Sequence, residues 1–171
     1  MTLNSSRLAI AQGLQALLQG VTNPVTGLPL YQAVQLGAFL GNTAQSYASW
    51  AEIAFFEGKS APAGSGGAMT GWRIDDAVTL SVVSGWDYEE DSNAAMVNML
   101  EAMDIVLPLL HSHVVIPLAS NPTLGIASVY SVLEEQPDRA IPVRIPPGHI
   151  YLLWHVYVVV RQQYNITLTS P

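Results

Sequence analysis

The stretch GWRIDDAVTLSVVSG, residues 71–85, decides how this chain folds. Trp72, Ile74, Val78, Leu80 and Val82 share one parity, while Arg73, Asp75, Thr79 and Ser81 share the other. That is the period-two pattern of a β-strand with one buried face. Asp76 falls among the apolar positions, as an interface group satisfied by an arginine or as a carboxylate at a wet strand end. At about 3.3 Å per residue such a strand outruns a small sheet, so it is expected to project with its predecessor as a long hairpin. The predecessor reads as 49–56, with Ala51, Ile53 and Phe55 on one face and Trp50, Glu52 and Phe56 on the other. Between the two strands, Gly58, Gly64, Gly66 and Gly67 and few apolar residues predict a mobile loop over 57–70.

Downstream, the acidic run 87–91 favours the positive end of a helix capped by Asp91 or Ser92. Met96, Met99, Leu100, Met103, Val106, Leu107 and Leu110 form its apolar stripe, and Pro108 predicts a kink or a stop nearby. Short strands follow at 114–118 and 126–133, and 134–148, with its prolines, reads as an irregular excursion. Residues 150–161 are apolar at both parities, the pattern of a central strand covered on two sides by helices, another sheet or another subunit.

Upstream, Ile10, Leu14, Leu17, Leu18 and Val21 recur at helical spacing and predict a helix over Ser6–Gln19, with Gln12, Gln15 and Gln19 outward. Asn4 or Ser5 caps its start, and Gly20 is expected to end it in the left-handed conformation. Residues 21–30 read as a loop and 30–36 as a strand. No repeat or long linker divides the chain. The expectation is a single α+β domain over 1–171: a small, mostly antiparallel or mixed sheet with a long projecting hairpin, flanked by two main helices.

Composition limits function. Half of the residues are apolar and only 11% are charged, against about 25% in typical soluble domains. A surface so poor in charge predicts contact with partners. A net charge of −7 with six Lys and Arg in all argues against a protein that grips nucleic-acid phosphates. The chain has no cysteine for disulfides, thiolate chemistry or metal ligation. Residues 1–6 are polar, unlike a secretory signal. The longest apolar run, 150–160, is interrupted by His155 and too short to span a bilayer as a helix, so no membrane partner is expected.

Each candidate for chemistry has a plainer explanation. His111 and His113 supply two metal ligands without a third, at a helix end where imidazoles meet free carbonyls. The glycines of 64–67 lead into a strand, unlike a phosphate loop or a nucleophile elbow. Asp87, Glu89, Glu90 and Asp91 lack the ligand alternation of a calcium loop. Asp75 and Asp76 point to opposite faces of a strand. His149 and His155 have no evident serine partner, and Trp50, Trp72, Trp86 and Trp154 read as core or interface anchors. No catalytic, cofactor or metal site is expected, and the chain reads as a non-enzyme.

Several stretches resemble the tail terminator proteins of long-tailed bacteriophages: LAIAQGLQALLQGVTNP (8–24), SWAEIAFFEGKSAPAGSGG (49–67), GWRIDDAVTLSVVSGWDYEEDS (71–92), MLEAMDIVLPLLHSH (99–113) and SVYSVLEEQPDRAIPVRIPPGHIYLLWHVYVVV (128–160). The resemblance implies a structural virion protein, assembled in the host cytoplasm as a homohexameric ring at the neck. The ring would cap the tail tube, end its growth and join it to the head-side connector, with genomic DNA passing through the lumen. The implied partners are further copies of the chain, the major tail tube protein and a connector, adaptor or stopper protein. Within the implied contact regions, Phe56, Lys59, Trp72, Arg73 and Asp76 are the candidate assembly residues. A head-completion or adaptor protein of the same neck, and a small-molecule-binding or hydrolytic α+β domain, are the alternative readings.

Overall fold

The computed structural model describes residues 6–37, 47–62, 71–89, 91–118, 126–134, 142–145 and 149–167; at 6, 59–62, 71–75, 126, 134, 142–145, 149 and 163–167 the description is of the backbone alone. The elements run α1 (Ser6–Gln19), β1 (Ala33–Leu36), β2 (Ser49–Pro62), β3 (Gly71–Asp87), α2 (Ser92–His111), β4 (Val115–Ile116), β5 (Ile126–Glu134), β6 (Pro142–Ile145) and β7 (His149–Thr167). The strands form one mixed sheet in the order β1-β2-β3-β7-β5-β4, with β6 also paired to β7. Among the described strands only β1 and β2 run parallel, and every other described pairing is antiparallel. The expected α+β class is therefore the observed one.

Burial alternates along β3 as the sequence pattern requires: Asp76, Val78, Leu80, Val82, Ser84 and Trp86 are buried, and the intervening Ala77, Thr79, Ser81 and Val83 are half-buried. These inward side chains meet Leu152, Trp154, Val156, Val158 and Val160 of β7 and Ala127, Val129 and Val132 of β5. Both helices lie on this inner face. α2 presents Ala95, Met99, Ala102, Val106 and Leu110. Its buried line is offset from the expected stripe, for Leu100 is 49% exposed and the small Ala95 and Ala102 let the helix approach closely. Asp91 caps it by accepting from the Asn93 and Ala94 N–H groups. The helix continues through Pro108 and ends at His111.

α1 spans the open ends of the curled sheet, packing on β1 and β2 at one edge and on β4 at the other. Gln15 and Gln19, expected to face outward, instead donate their side-chain amides to the Val34 carbonyl of β1 at 2.8 and 3.2 Å. An edge strand offers unpaired backbone groups, and these amides satisfy one of them. Ile10, Leu14, Leu18 and Val21 are buried as expected. Gly20 does not adopt a positive φ, which among the described glycines belongs to Gly27 and Gly37; its N–H bonds the Ala16 and Leu17 carbonyls in an ordinary final turn. The caps expected from Asn4 or Ser5 lie outside the described residues.

Other boundaries also differ. β1 begins at Ala33, later than the expected 30, since Leu30 N–H bonds back to Val21 O and closes the preceding loop. β2 runs on through 57–62, which the loop reading had made irregular, because it pairs with Ile74–Thr79 of β3; residues 63–70 lie outside the described residues. β7 flanks β3 along its whole length, so β2 and β3 do not extend beyond the sheet as a two-stranded ribbon. Part of the 134–148 excursion is strand: β6 pairs with His149–Leu152. Its proline stands at the first strand position, where no ladder donor is required.

Tyr31 carries a prediction. Its hydroxyl, 4% exposed with its residue, accepts from Ser84 Oγ at 3.1 Å. Burial pushes its pKa up to about 12 from 10, and the Ser84 hydrogen bond offsets this in part. A raised folded-state pKa gives stability that is complete below the unfolded value and is lost as pH climbs through the folded one. About 3 kcal/mol is therefore expected to disappear between pH 10 and 12. Denaturant titrations across that window check it: Tyr31→Phe should flatten this part of the profile, at a cost of about 1 kcal/mol for the orphaned Ser84 hydroxyl.

Candidate interaction surface

No described element covers the outer face of the sheet. On β7 this face carries Leu153, His155, Tyr157 and Val159, all half-buried, so that of the covers the sequence admits on this side neither a helix nor a second sheet is supplied by the described residues. At one end the face closes on itself. Trp50 and Tyr151 meet edge-on with ring centroids 5.7 Å apart, and both are buried. Tyr151 donates to Tyr47 O at 3.3 Å, and burial, then the Asp87 carboxylate, raises its pKa.

Toward the other end the face stays open. Two β-bulges flank the central β3–β7 pair at the same level, one at Phe56 between Phe55 and Glu57, the other at Tyr130 between Val129 and Ser131. A bulge inserts one unpaired residue and re-aims its side chain. Phe56 is 57% exposed and its ring centroid lies 4.8 Å from that of Tyr157. Tyr157 in turn lies 4.5 Å from the His155 ring, and His155 Nε2 shares a 2.8 Å hydrogen bond with Ser81 Oγ. On the other flank the Arg161 guanidinium sits 3.3 Å above the Tyr130 ring centroid, and exposed Leu133 stands opposite Tyr157.

The Ser81–His155 pair was missed by the sequence reading, since it is a diagonal contact that exists only in this register of β3 and β7. Ser81 pairs with Ala54 on one side and Tyr157 on the other, in the middle of two continuous ladders. Neighbouring backbone N–H groups are thus engaged in the sheet, where an acyl-transfer site would need them aimed at an oxyanion. The pair instead holds the His155 ring beside Tyr157.

Of the candidate assembly residues, Phe56 stands on the open face. Lys59 is opposite Ala77, Trp72 opposite Ile166 and Arg73 opposite Asn165, all in the part of the sheet beyond the bulges. Asp76 points the other way. It is 3% exposed on the inner face, opposite Gln162, with Arg7 Nε of α1 at 3.9 Å from its carboxylate. The same guanidinium lies 5.7 Å from the Phe55 ring centroid and against Gly58, where a Cβ would meet it at 3.2 Å. The arginine anticipated for Asp76 thus comes from within the chain.

His111 occupies the last turn of α2, and His113, at φ 56°, donates Nδ1–H to Val129 O at 3.1 Å. Among the described residues no three His, Asp or Glu side chains converge as metal ligands. A cavity of about 260 Å³ lies between the 21–30 loop and α2, lined by Asn23, Gln32, Ser49, Trp86, Asn98 and Glu101 among others. Its polar walls bond one another: Asn23 Nδ2 donates to Glu101 Oε2 at 2.9 Å, and Gln32 Oε1 accepts from Ala48 N–H at 2.9 Å. The chain matches no protein-family model and no curated protein sequence.

Proposed function

We propose that the chain is a structural subunit of a closed protein ring, of the kind that caps a phage tail tube and joins it to the head-side connector. One observation carries the reading: a sheet whose inner face is sealed by both helices leaves Phe56, Tyr130, Leu133 and the Tyr157–His155 row on an outer face, with Glu52, Glu57 and Arg161 among them. Contiguous exposed apolar surface of this kind marks a contact with another macromolecule. The acidic balance of the chain also supports it, since a lumen that lets DNA slide needs few phosphate-binding cations. Neck adaptor function would use the same surface.

The test is the mass of the purified chain by light scattering, joined to images of single particles. Six copies around a central hole are expected, either alone or on meeting tail tube protein. A particle that stays monomeric in both conditions refutes the reading. A second reading, hydrolysis, would draw on the Ser81–His155 contact, against which stand the ladder-engaged backbone N–H groups around Ser81. Ester turnover abolished by Ser81→Ala would support that alternative.

A further inference from the structure

The open sheet face requires a cover, and the opposite side of the molecule carries one of matching chemistry. α2 is long and apolar enough to cross a membrane by length and composition, yet only 28% of the qualifying stretch is buried. Its side turned away from the sheet exposes Val97 and Leu100, at 46% and 49%, beside exposed Glu101 and Asp104. A helix lying on a sheet ordinarily turns a polar side to water, so apolar residues there point to a second contact. Carboxylates at mid-helix disfavour lipid as that contact and favour a protein surface bearing a cation. The open sheet face has one in Arg161, exposed and stacked on Tyr130.

We infer that the outward side of α2 docks on the open sheet face of the next copy of this chain, Val97 and Leu100 against Phe56, Tyr130 and Leu133, with Glu101 and Asp104 toward Arg161. This rests on the reading of the chain as an assembling subunit and names the two surfaces involved. Because they lie on opposite sides of one subunit, the contact is heterologous and repeats from copy to copy, as a ring requires. Each sheet then has a helix on both faces, its own within and a neighbour's without.

Two double variants test it by sedimentation velocity: Val97→Asp/Leu100→Asp, which spoils the helix surface, and Leu133→Asp/Arg161→Glu, which spoils the sheet surface. Each alone should bind its own copies at least about 30-fold more weakly than wild type, as for the loss of a central interface anchor. Mixed in equal amounts, they should form heterodimers and nothing larger, because one intact helix surface meets one intact sheet surface. Wild-type assembly by the helix variant alone, or its pairing through sheets, overturns the inference and leaves the ring reading standing. A wild-type chain that associates neither alone nor with tail tube protein overturns both. Should a double variant fail to fold, charge reversal replaces it: Asp104→Lys and Arg161→Glu should each weaken assembly and together restore it, and no recovery counts against the inference.

Discussion

Gly13→Ala is expected to lower the stability of the fold by about 3 kcal/mol, which for a chain of this length lowers Tm by on the order of 10 °C. Helix propensity alone gives the opposite sign, because alanine in a helix interior is favoured over glycine by about 1 kcal/mol. The close approach of α1 to β4 decides the matter. A Cβ at Gly13 would lie 2.5 Å from the Pro117 carbonyl oxygen and against Ile116 Cγ2. One of those atoms is backbone and cannot rotate away, so α1 has to lift from β4. The same helix holds the other sheet edge through Gln15 and Gln19, and lifting it loosens both edges together. Gly13→Val adds two further carbons at the same spot and is expected to prevent folding. Gly20→Ala is the control: there the nearest atoms are carbonyl oxygens at 3.5 Å and φ is not positive, so its effect should stay within about 0.5 kcal/mol. Thermal melts followed by circular dichroism separate the three, and a Gly13→Ala chain as stable as wild type would contradict the seating of α1 on β4.

What was legible in the sequence is what local pattern controls. α1 spans the Ser6–Gln19 expected from its 3.6-residue stripe, and β3 alternates as its side chains do. From Glu57 onward the sequence reads as loop because 57–70 is glycine-rich and poor in apolar residues; pairing of 57–62 with β3 overrides that reading. Gln15 and Gln19 looked like a solvated helix side, since nothing local reveals that a sheet edge will curl up to meet them. The open face was legible only in part. The two-sided apolarity of 150–161 implies a need for cover, and Phe56 enters only as a candidate assembly residue from the resemblance, while Tyr130, Arg161, Ser81 and Leu133 depend on strand register. Asp76 was correctly noticed as the polar residue on an apolar face, while the side it faces, toward Arg7 of α1, is a property of the packing.

The bulges give the second large effect. Deleting Phe56 leaves Phe55 opposite Leu80 and Glu57 opposite Thr79, the pairs that already exist, and turns an irregular ladder into a regular one. Deleting Tyr130 does the same for Val129 and Ser131 against Val160 and Val159. Both side chains are about half exposed, so each deletion is expected to cost only about 1–2 kcal/mol. Deleting Val83 is different in kind. β3 is paired on both sides there without a bulge to absorb the change, and a one-residue slip sends either Val78, Leu80 and Val82 or Ser84 and Trp86 to the wrong face. Exposing three core aliphatic side chains costs roughly 5–9 kcal/mol, comparable with the whole stability of a domain. The chain lacking Val83 should therefore be lost to aggregates, whereas those lacking Phe56 or Tyr130 should be recovered soluble with cooperative melts. If the bulged aromatics serve assembly, the two soluble deletions should also associate more weakly than wild type while keeping the wild-type circular dichroism spectrum. Equal collapse of all three would mean that the bulged residues hold the sheet together, and that their exposure is incidental.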